Sequence, residues 1–231
     1  MKPKLLCFDG CIDYARPWRE IFDVIVPDKD LSMVANIKRA DCILFTGGSD
    51  ISPSMYGDYD IQGTYSYAER DRLEEVVYRI AIDEKKSSLG ICRGAQLACV
   101  IAGGRLIQDV TGHNRGHHKM TTDDGQELIT SSVHHQMMLP LNTEHRLIAW
   151  SNKISTRYHC GSDIHVKPEH KSIINLASAY EDGKEPEVIF FPEIRAFGIQ
   201  GHPEMMSALA DDEKKTLDWF KQQAKKYLLE A

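Results

Sequence analysis

A glycine-flanked cysteine is the residue of this chain whose setting is most specific for chemistry. Residues 88–96 read Ser-Leu-Gly-Ile-Cys-Arg-Gly-Ala-Gln, which places Cys92 between two glycines. An apolar run precedes the cysteine and a helix-like run, 95–102, follows it, as is typical of a tight turn from a strand into a helix. Such a turn strains the backbone of the nucleophile and exposes its sulfur, and the helix N-terminus favours the thiolate. We therefore interpret Cys92 as a candidate nucleophile.

A base for this nucleophile is available in a second segment, 198–204, which reads Gly-Ile-Gln-Gly-His-Pro-Glu. A thiol nucleophile needs a base within hydrogen-bond reach, and the base needs a group that orients it. His202 supplies an imidazole, and Glu204 can hold that ring in the required tautomer. Together with Cys92, these two residues predict a catalytic triad.

The two segments, taken in this order, resemble the class I glutamine amidotransferases. Three further motifs resemble the γ-glutamyl-γ-aminobutyrate hydrolase branch of that superfamily: 46–53, Arg70-Asp71 with Glu74, and 132–136. The resemblance covers 41–206. It implies hydrolysis of the γ-glutamyl amide bond of glutamine or of a γ-glutamyl amine, through a γ-glutamyl thioester, with release of glutamate. Asp71 and Glu74 also suit the dipole at the start of a helix. We therefore interpret these acids as partly structural.

The resemblance implies roles for residues outside the triad. It assigns one N–H of the oxyanion hole to Gly47 or Gly48, between which the sequence does not decide, and the other to Arg93. Gln96, one helical turn past the cysteine, would contact the glutamyl group. From the residues alone, the glycine pair is also compatible with a plain turn, and Gln96 with an exposed helix position. Three more positions would hold the α-amino and α-carboxylate ends of the substrate: Val133, His134 and His135.

Two departures from the family pattern concern the walls of the expected pocket. Gly201 stands where the family usually has an aromatic residue before His-Pro-Glu, which predicts that one aromatic wall is missing. Residues 1–40 are shorter than, and less similar to, the corresponding part of the family. The acceptor-side specificity of the family therefore does not transfer to this chain.

A histidine-rich segment, with His113, His117 and His118, is the main alternative site for chemistry. His113 and His117 have the spacing of a zinc pair on one face of a helix. However, the interspersed glycines predict a loop, and no Glu or Cys completes a ligand set. We therefore expect no metal here, and the chemistry assigned to the triad needs no cofactor.

Charge and cysteine usage exclude several classes of function. The 231 residues carry 28 Lys and Arg against 34 Asp and Glu, a net charge of -6 without a basic cluster, which argues against a nucleic-acid partner. No apolar run approaches the roughly 20 residues needed to span a bilayer, and we predict no signal peptide. The six cysteines are scattered without a Cys-x-x-Cys pair, which favours a reducing, cytoplasmic setting. Because no linker-like segment divides the chain, we expect one domain over 1–231.

The pattern of apolar runs predicts how these residues are held. Strands are predicted at 5–8, 21–26, 42–45, 89–91, 128–131, 147–150, 173–177, 188–191 and 196–200. Helices are predicted at 69–85, from the spacing of Leu73, Val76, Val77, Ile80 and Ala81, and at 207–229. Alternation of strands and helices indicates an α/β, flavodoxin-like fold, with a mostly parallel central sheet and helices on both faces. Ligands bind beyond the carboxyl ends of such strands, so Gly47, Gly48, Cys92 and His202 should converge at one edge.

Three roles are compatible with these residues. The first is a free-standing hydrolase acting on a small-molecule γ-glutamyl substrate. The second is the glutaminase subunit of a two-chain amidotransferase that passes ammonia to a separate synthetase. The third, a non-catalytic binding module, is disfavoured by the intact triad. The leaving amine and the choice between a synthetase partner and a homo-oligomer stay open.

Overall fold

The computed structural model describes residues 1–61, 63–114, 116–152, 154–155, 158–160 and 183–230; the strand predicted at 173–177 lies outside them. The helices are α1 (Met33–Lys38), α2 (Ala68–Asp83), α3 (Arg93–Ile101) and α4 (Asp211–Leu228), with 3-10 helices at Arg16–Glu20, Pro53–Tyr56 and Pro203–Met205. The strands are β1 (Lys4–Cys7), β2 (Asp23–Ile25), β3 (Cys42–Phe45), β4 (Ser87–Ile91), β5 (Arg105–Ile107), β6 (Asp109–Val110), β7 (Gly116–Thr122), β8 (Glu127–Ser132), β9 (Met137–Leu139), β10 (Arg146–Asn152), β11 (Tyr158–His159), β12 (Lys184–Phe191) and β13 (Ala196–Ile199).

A nine-stranded sheet runs through the described chain in the order β2-β1-β3-β4-β13-β12-β10-β7-β8. Its first five strands are parallel to one another, and the remaining four continue the sheet as antiparallel neighbours. The predicted α/β fold with a mostly parallel central sheet is confirmed. The antiparallel extension is a feature that the strand predictions alone did not distinguish.

Helices cover both faces of the parallel half, as predicted. Successive side chains of a strand point to opposite faces. Accordingly, Leu5 and Cys7 of β1 belong to a buried cluster that includes the apolar face of α4. Leu6, between them, belongs to a second cluster that includes residues of α1, α2 and α3. Strand β3 is buried along its whole length, which explains its uninterrupted apolar sequence.

The buried face of α2 differs from the one predicted. Leu73 and Val76, assigned to the apolar stripe, are 45% and 48% exposed, whereas Asp71 and Glu74 are buried beside Val77. The cause is electrostatic, because both carboxylates form ion pairs with a buried arginine of α3, described below. The helix is therefore rotated about its axis relative to the stripe expected from hydrophobicity.

Two further differences lie outside the parallel core. Helix α1 was not predicted; Ser32 caps it by accepting a hydrogen bond from the N–H of Ala35 at 3.2 Å. The histidine-rich segment is a loop only up to residue 114, since β7 begins at Gly116 and pairs with β8. None of the helices in the described ranges is long and apolar enough to cross a membrane.

Candidate active site

The cysteine at the end of β4 lies in the strained turn that its sequence predicts. Cys92 has φ 51° and ψ -104°, a left-handed conformation that a non-glycine residue rarely adopts, and α3 begins at the next residue. Glycine is required on both sides of Cys92 because a side chain would not fit there. A Cβ on Gly90 would collide with the carbonyl oxygen of Gly94, and a Cβ on Gly94 would collide with the carbonyl oxygen of Phe45. The two glycines thus allow α3 to pack closely against β3 and β4.

The predicted base and its orienting carboxylate are in contact. His202 Nδ1 lies 2.6 Å from Glu204 Oε1, so this nitrogen donates to the carboxylate and Nε2 is left for the nucleophile. Ser131 of β8 fixes the backbone of His202, because its hydroxyl accepts from the His202 N–H and donates to the His202 carbonyl, both at 2.8 Å. The imidazole is held from two sides.

The charge state of His202 follows from its neighbours. Burial by itself lowers the pKa of His202, but the hydrogen bonds and charges of Cys92 and Glu204 outweigh burial and raise the pKa from 6.5 to about 10. The ring is therefore protonated at neutral pH. An imidazolium beside the sulfur is the arrangement that stabilises a thiolate.

The N-terminal segment forms a wall of this site, which the sequence did not reveal. A Cβ on Gly47 would lie 2.7 Å from the Tyr14 hydroxyl oxygen and 3.0 Å from Cε1 of His202. The ring centroids of Tyr14 and His202 are 6.1 Å apart. Arg16 donates a hydrogen bond to the carbonyl oxygen of Glu204. Although residues 1–40 diverge from the family pattern, they contact the base and its orienter directly.

The two glycines after β3 have different surroundings. Gly48 has φ 137° and lines the cavity next to Cys92, and a Cβ there would collide with Nη1 of Arg70. Gly47 instead packs against Tyr14 and His202. Arg93 is the first residue of α3, so its N–H is one of those that a helix leaves without an internal acceptor.

Buried ion pairs connect the elements that carry the two expected oxyanion donors. The Arg93 guanidinium forms ion pairs with Asp71 and Glu74, and all three side chains are at most 3% exposed. Glu74 also accepts from Nε of Arg70 at 2.8 Å, and Arg70 donates to the carbonyl oxygen of Thr46 at 3.3 Å. The acids of the Arg70-Asp71 motif therefore link the start of α3 to the loop before Gly48.

A cavity of about 240 Å³ opens beside Cys92. This volume is below the roughly 300–1,000 Å³ of pockets for drug-sized ligands, so the cavity suits a small substrate. The predicted binding residues Gln96, Val133, His134 and His135 all line it. The other lining residues are Gly48, Ser49, Asp50, Tyr65, Cys92 and Gln136.

The predicted binding residues differ in burial, hydrogen bonding and pKa. Gln96 is buried and donates from Nε2 to the carbonyl oxygen of Gln136 at 3.0 Å. His135 is hydrogen-bonded to Asp50 at 3.1 Å, which raises the pKa of His135. Burial lowers the pKa of His134 to about 3, so this ring is neutral. Val133 is 45% exposed at the mouth.

Two glutamines in the motifs were not singled out from the sequence. Gln136 is buried against the cavity, and neither polar atom of its side chain has a hydrogen-bond partner among the described residues. Gln200 approaches the Cys92 sulfur with its Nε2 at 3.9 Å. Their positions inside the motifs 132–136 and 198–204 were the only available signal.

The missing aromatic at position 201 has a steric explanation. A Cβ on Gly201 would collide with Oγ1 of Thr130 and would lie 2.6 Å from the carbonyl oxygen of Ser131. Strand β8 therefore occupies the space that a side chain would need. An aromatic side chain at this position would therefore not fit in this chain.

The histidine-rich segment requires a correction. The expectation that no acid completes a ligand set with His113 is wrong, because Glu185 lies 2.9 Å and Glu187 3.5 Å from its ring nitrogens. His117, its expected partner, is exposed and lies 3.7 Å from Glu213 instead. The ligand atoms of His113, His134 and Glu187 all lie within 4.8 Å of one another.

Comparisons with known proteins identify the family of this chain. The family model described as Peptidase C26 matches residues 21–204. Protein NtpR of Enterococcus hirae is 25% identical over 190 residues, 82% of this chain and 77% of NtpR. The glutamine amidotransferase-like protein YvdE of Lactococcus lactis is 36% identical over 113 residues, and this match spans 48% of each chain, about half of YvdE.

Solved structures share the fold at low sequence identity. A glutamine amidotransferase from Thermotoga maritima superposes with a TM-score of 0.55 at 12% identity, covering 99% of this chain and 86% of that chain. A Thermoplasma acidophilum protein described as one subunit of GMP synthase gives 0.58 at 14% identity, covering 98% and 97%. Both likenesses concern the fold.

Proposed function

Because the chain belongs to the Peptidase C26 family, whose members include hydrolases, we propose that it is a cysteine hydrolase of γ-glutamyl amides. Its substrate is glutamine or a γ-glutamyl amine, and its product is glutamate. The observation that carries the proposal is Cys92, in a strained turn at the wall of a small cavity, hydrogen-bonded to a His202 that is oriented by Glu204. The glutamine amidotransferase-like relatives support chemistry on an amide.

The first half of the reaction forms a thioester. The Cys92 thiolate attacks the γ-carbonyl carbon of the substrate, and the resulting oxyanion collapses with cleavage of the C–N bond. His202, protonated in the resting site, transfers its Nε2 proton to the nitrogen of the leaving amine. The γ-glutamyl group is left bound to sulfur, and His202 is left neutral.

The second half regenerates the enzyme. Neutral His202 accepts a proton from water as the water oxygen attacks the thioester carbon. The C–S bond then breaks, glutamate leaves, and the sulfur becomes the thiolate again beside an imidazolium. Glu204 keeps Nδ1 of the ring protonated throughout, which holds Nε2 toward the reacting atoms.

Backbone N–H groups stabilise the oxyanion in both halves. We assign one donor to Gly48, because Gly48 lines the cavity whereas Gly47 packs against His202. The second donor is the N–H of Arg93. Donors of this kind act on charge that develops only in the transition state, and loss of one costs roughly 10²–10³-fold in kcat.

The opposite wall of the cavity binds the glutamyl group. Gln96, Val133, His134 and His135 line this wall. The side-chain amide of Gln136, which has no hydrogen-bond partner in the part of the chain that the structure describes, is suited to the α-amino or α-carboxylate group, since binding of either would satisfy a buried amide. We propose that 1–231 form one domain. Among the described residues no disulfide joins two cysteines, which fits the proposed cytoplasmic setting.

A second candidate is a glutaminase subunit that delivers ammonia to a separate synthetase. It is favoured by the likeness to the Thermoplasma acidophilum protein described as one subunit of GMP synthase, which extends over nearly the whole of both chains. The chemistry at Cys92 would be the same, but turnover would depend on the partner.

The two candidates are separated by measuring glutamate release by the purified chain from glutamine and a panel of γ-glutamyl amines. The Cys92→Ala variant is the control for background hydrolysis. We expect steady turnover at about one per second or faster, within the common range of enzymes. Turnover that starts only on addition of a synthetase would favour the second candidate. No thioester and no glutamate under either condition would refute both.

A further inference from the structure

A cluster of buried histidines and carboxylates lies behind the cavity wall and is not used by the triad. His113 precedes β7, His134 follows β8, and Glu187 belongs to β12; their exposed fractions are 0%, 3% and 1%. Their ligand atoms lie within 4.8 Å of one another although the residues are distant in sequence. Burial of such groups is costly unless they are paired or bind an ion.

The hydrogen bonds at the outer side of the cluster fix the tautomer of each ring. His134 Nδ1 lies 2.8 Å from the carbonyl oxygen of Gln136, which only accepts, so Nδ1 carries the proton and Nε2 has the free lone pair. His113 Nε2 lies 2.9 Å from Oε2 of Glu185. That carboxylate also accepts from the N–H groups of Ile154 and Ser155, at 2.8 and 3.0 Å, so Nε2 of His113 is the donor and Nδ1 has the lone pair.

The inner atoms of the cluster have no donors. Among the residues that the structure describes, Nδ1 of His113, Nε2 of His134 and Oε2 of Glu187 have no hydrogen-bond partner. The other oxygen of Glu187 accepts from His118 at 2.8 Å and from Ser151 at 3.1 Å, which fixes the carboxylate. Each of the three buried residues therefore has one ligand atom without a hydrogen-bond partner among the described residues.

We propose that His113, His134 and Glu187 bind one divalent transition-metal ion, with zinc the best match. Two imidazole nitrogens and one carboxylate oxygen are a zinc ligand set. Both histidines donate their other ring N–H to a carboxylate or a backbone carbonyl, as metal-binding histidines almost always do.

The distances are compatible with this assignment. Bonds of about 2.0–2.1 Å in tetrahedral geometry place ligand atoms about 3.4 Å apart. Nδ1 of His113 is already 3.5 Å from the Glu187 carboxylate, measured to Oε1, and the ion would draw in Oε2 and the other wider pairs.

The ion would position one wall of the active-site cavity. His134 lines the cavity beside Cys92, so an ion on Nε2 would fix its ring. The carbonyl oxygen of Glu187 accepts from the N–H of Gln200 at 2.8 Å, and the Gln200 side chain approaches the Cys92 sulfur. The role assigned to the ion is structural, and the triad needs no metal for its chemistry.

Metal titration of the full chain tests the proposal independently of activity. Protein prepared without a histidine tag is stripped with a chelator, dialysed against Zn²⁺ or Co²⁺, freed of loose ions and analysed for bound metal. We expect about one equivalent, and for Co²⁺ we expect visible d–d bands without a thiolate charge-transfer band. The Cys92→Ala variant should bind the same amount.

Variants separate this site from adventitious binding. Glu187→Gln and His113→Asn should lose the bound metal and the Co²⁺ bands, whereas His117→Asn, the matched exposed histidine, should keep both. The wild-type Co²⁺ spectrum decides the case even if the buried variants fail to fold. Absence of stoichiometric metal in the wild type, a thiolate band that is lost with Cys92, or retention of metal by folded Glu187→Gln would each overturn the proposal.

Discussion

Replacement of Gly48 by alanine is the sharpest test of the oxyanion hole. The added methyl group would collide with Nη1 of Arg70, the flexible end of a side chain, so Arg70 would have to move. Arg70 donates to the carbonyl oxygen of Thr46 at 3.3 Å and to its hydroxyl at 3.1 Å. We therefore expect Gly48→Ala to release the loop that presents the N–H of residue 48 and to displace that donor.

The size of the effect can be separated into a stability part and a catalytic part. Alanine at φ 137° is strained, which costs on the order of 1–3 kcal/mol of stability. Loss of one oxyanion donor costs roughly 10²–10³-fold in kcat, or about 2.7–4 kcal/mol. Because the interaction exists only in the transition state, kcat and kcat/KM should fall together.

Gly57→Ala is the matched control. Gly57 also has a positive φ, 70°, but no atom lies within 4 Å of its added Cβ. Alanine in this left-handed conformation should cost about 1–2 kcal/mol of stability without touching the site. Thermal unfolding and the kinetics of glutamate release are measured for both variants. If Gly48→Ala lowers kcat no more than Gly57→Ala does, the assignment of this donor is wrong.

Three further predictions concern the triad. Cys92→Ala should abolish glutamate release without unfolding the protein, and a glutamine-analogue diazo-ketone should add its mass at Cys92; a label on another cysteine would refute the assignment. His202→Asn should be far more damaging than Glu204→Gln, because loss of the base costs more than loss of its orienter, and near wild-type rates in both would contradict the triad. The pKa of His202 is raised to about 10, so its charge stabilises the fold fully below pH 6.5, and this contribution is lost as the pH rises through about 10. Thermal unfolding from pH 6 to 10 should therefore show a loss of stability that is absent in His202→Asn, and identical pH profiles would contradict the pKa.

The parts of the site that are local in sequence could be predicted. The turn at Cys92 depends on glycines two residues before and after it, and on the apolar run that forms β4. The contact of His202 with Glu204 also lies within one motif. Such features depend on spacing along the chain, which the sequence states directly. The pairing of the two motifs in space was predicted from the family resemblance and from the expectation that the carboxyl ends of parallel strands meet at one edge of the sheet.

The parts that depend on distant partners could not be predicted. Asp71 and Glu74 were interpreted only as acids that suit the dipole at the start of a helix, yet they are buried because Arg93, about twenty residues later, neutralises them. His113 was predicted to lie in a loop with no acid beside it. Its carboxylate partners lie on β12, and no spacing along the sequence relates that strand to His113. Burial of a charged group is decided by its partner, and the sequence does not say which elements will be neighbours.

The buried ion pairs also bear on whether the chain acts alone. Arg93 is held by Asp71 and Glu74, and Glu74 in turn holds Arg70 beside Gly48. Removal of one member would leave an uncompensated buried charge, at a cost of about 3–5 kcal/mol, so the network resists rearrangement. We infer that this network holds the two proposed oxyanion donors without help from a second chain. If it does, the purified chain should turn over a γ-glutamyl amide alone, as expected of a free-standing hydrolase rather than of a partner-activated glutaminase.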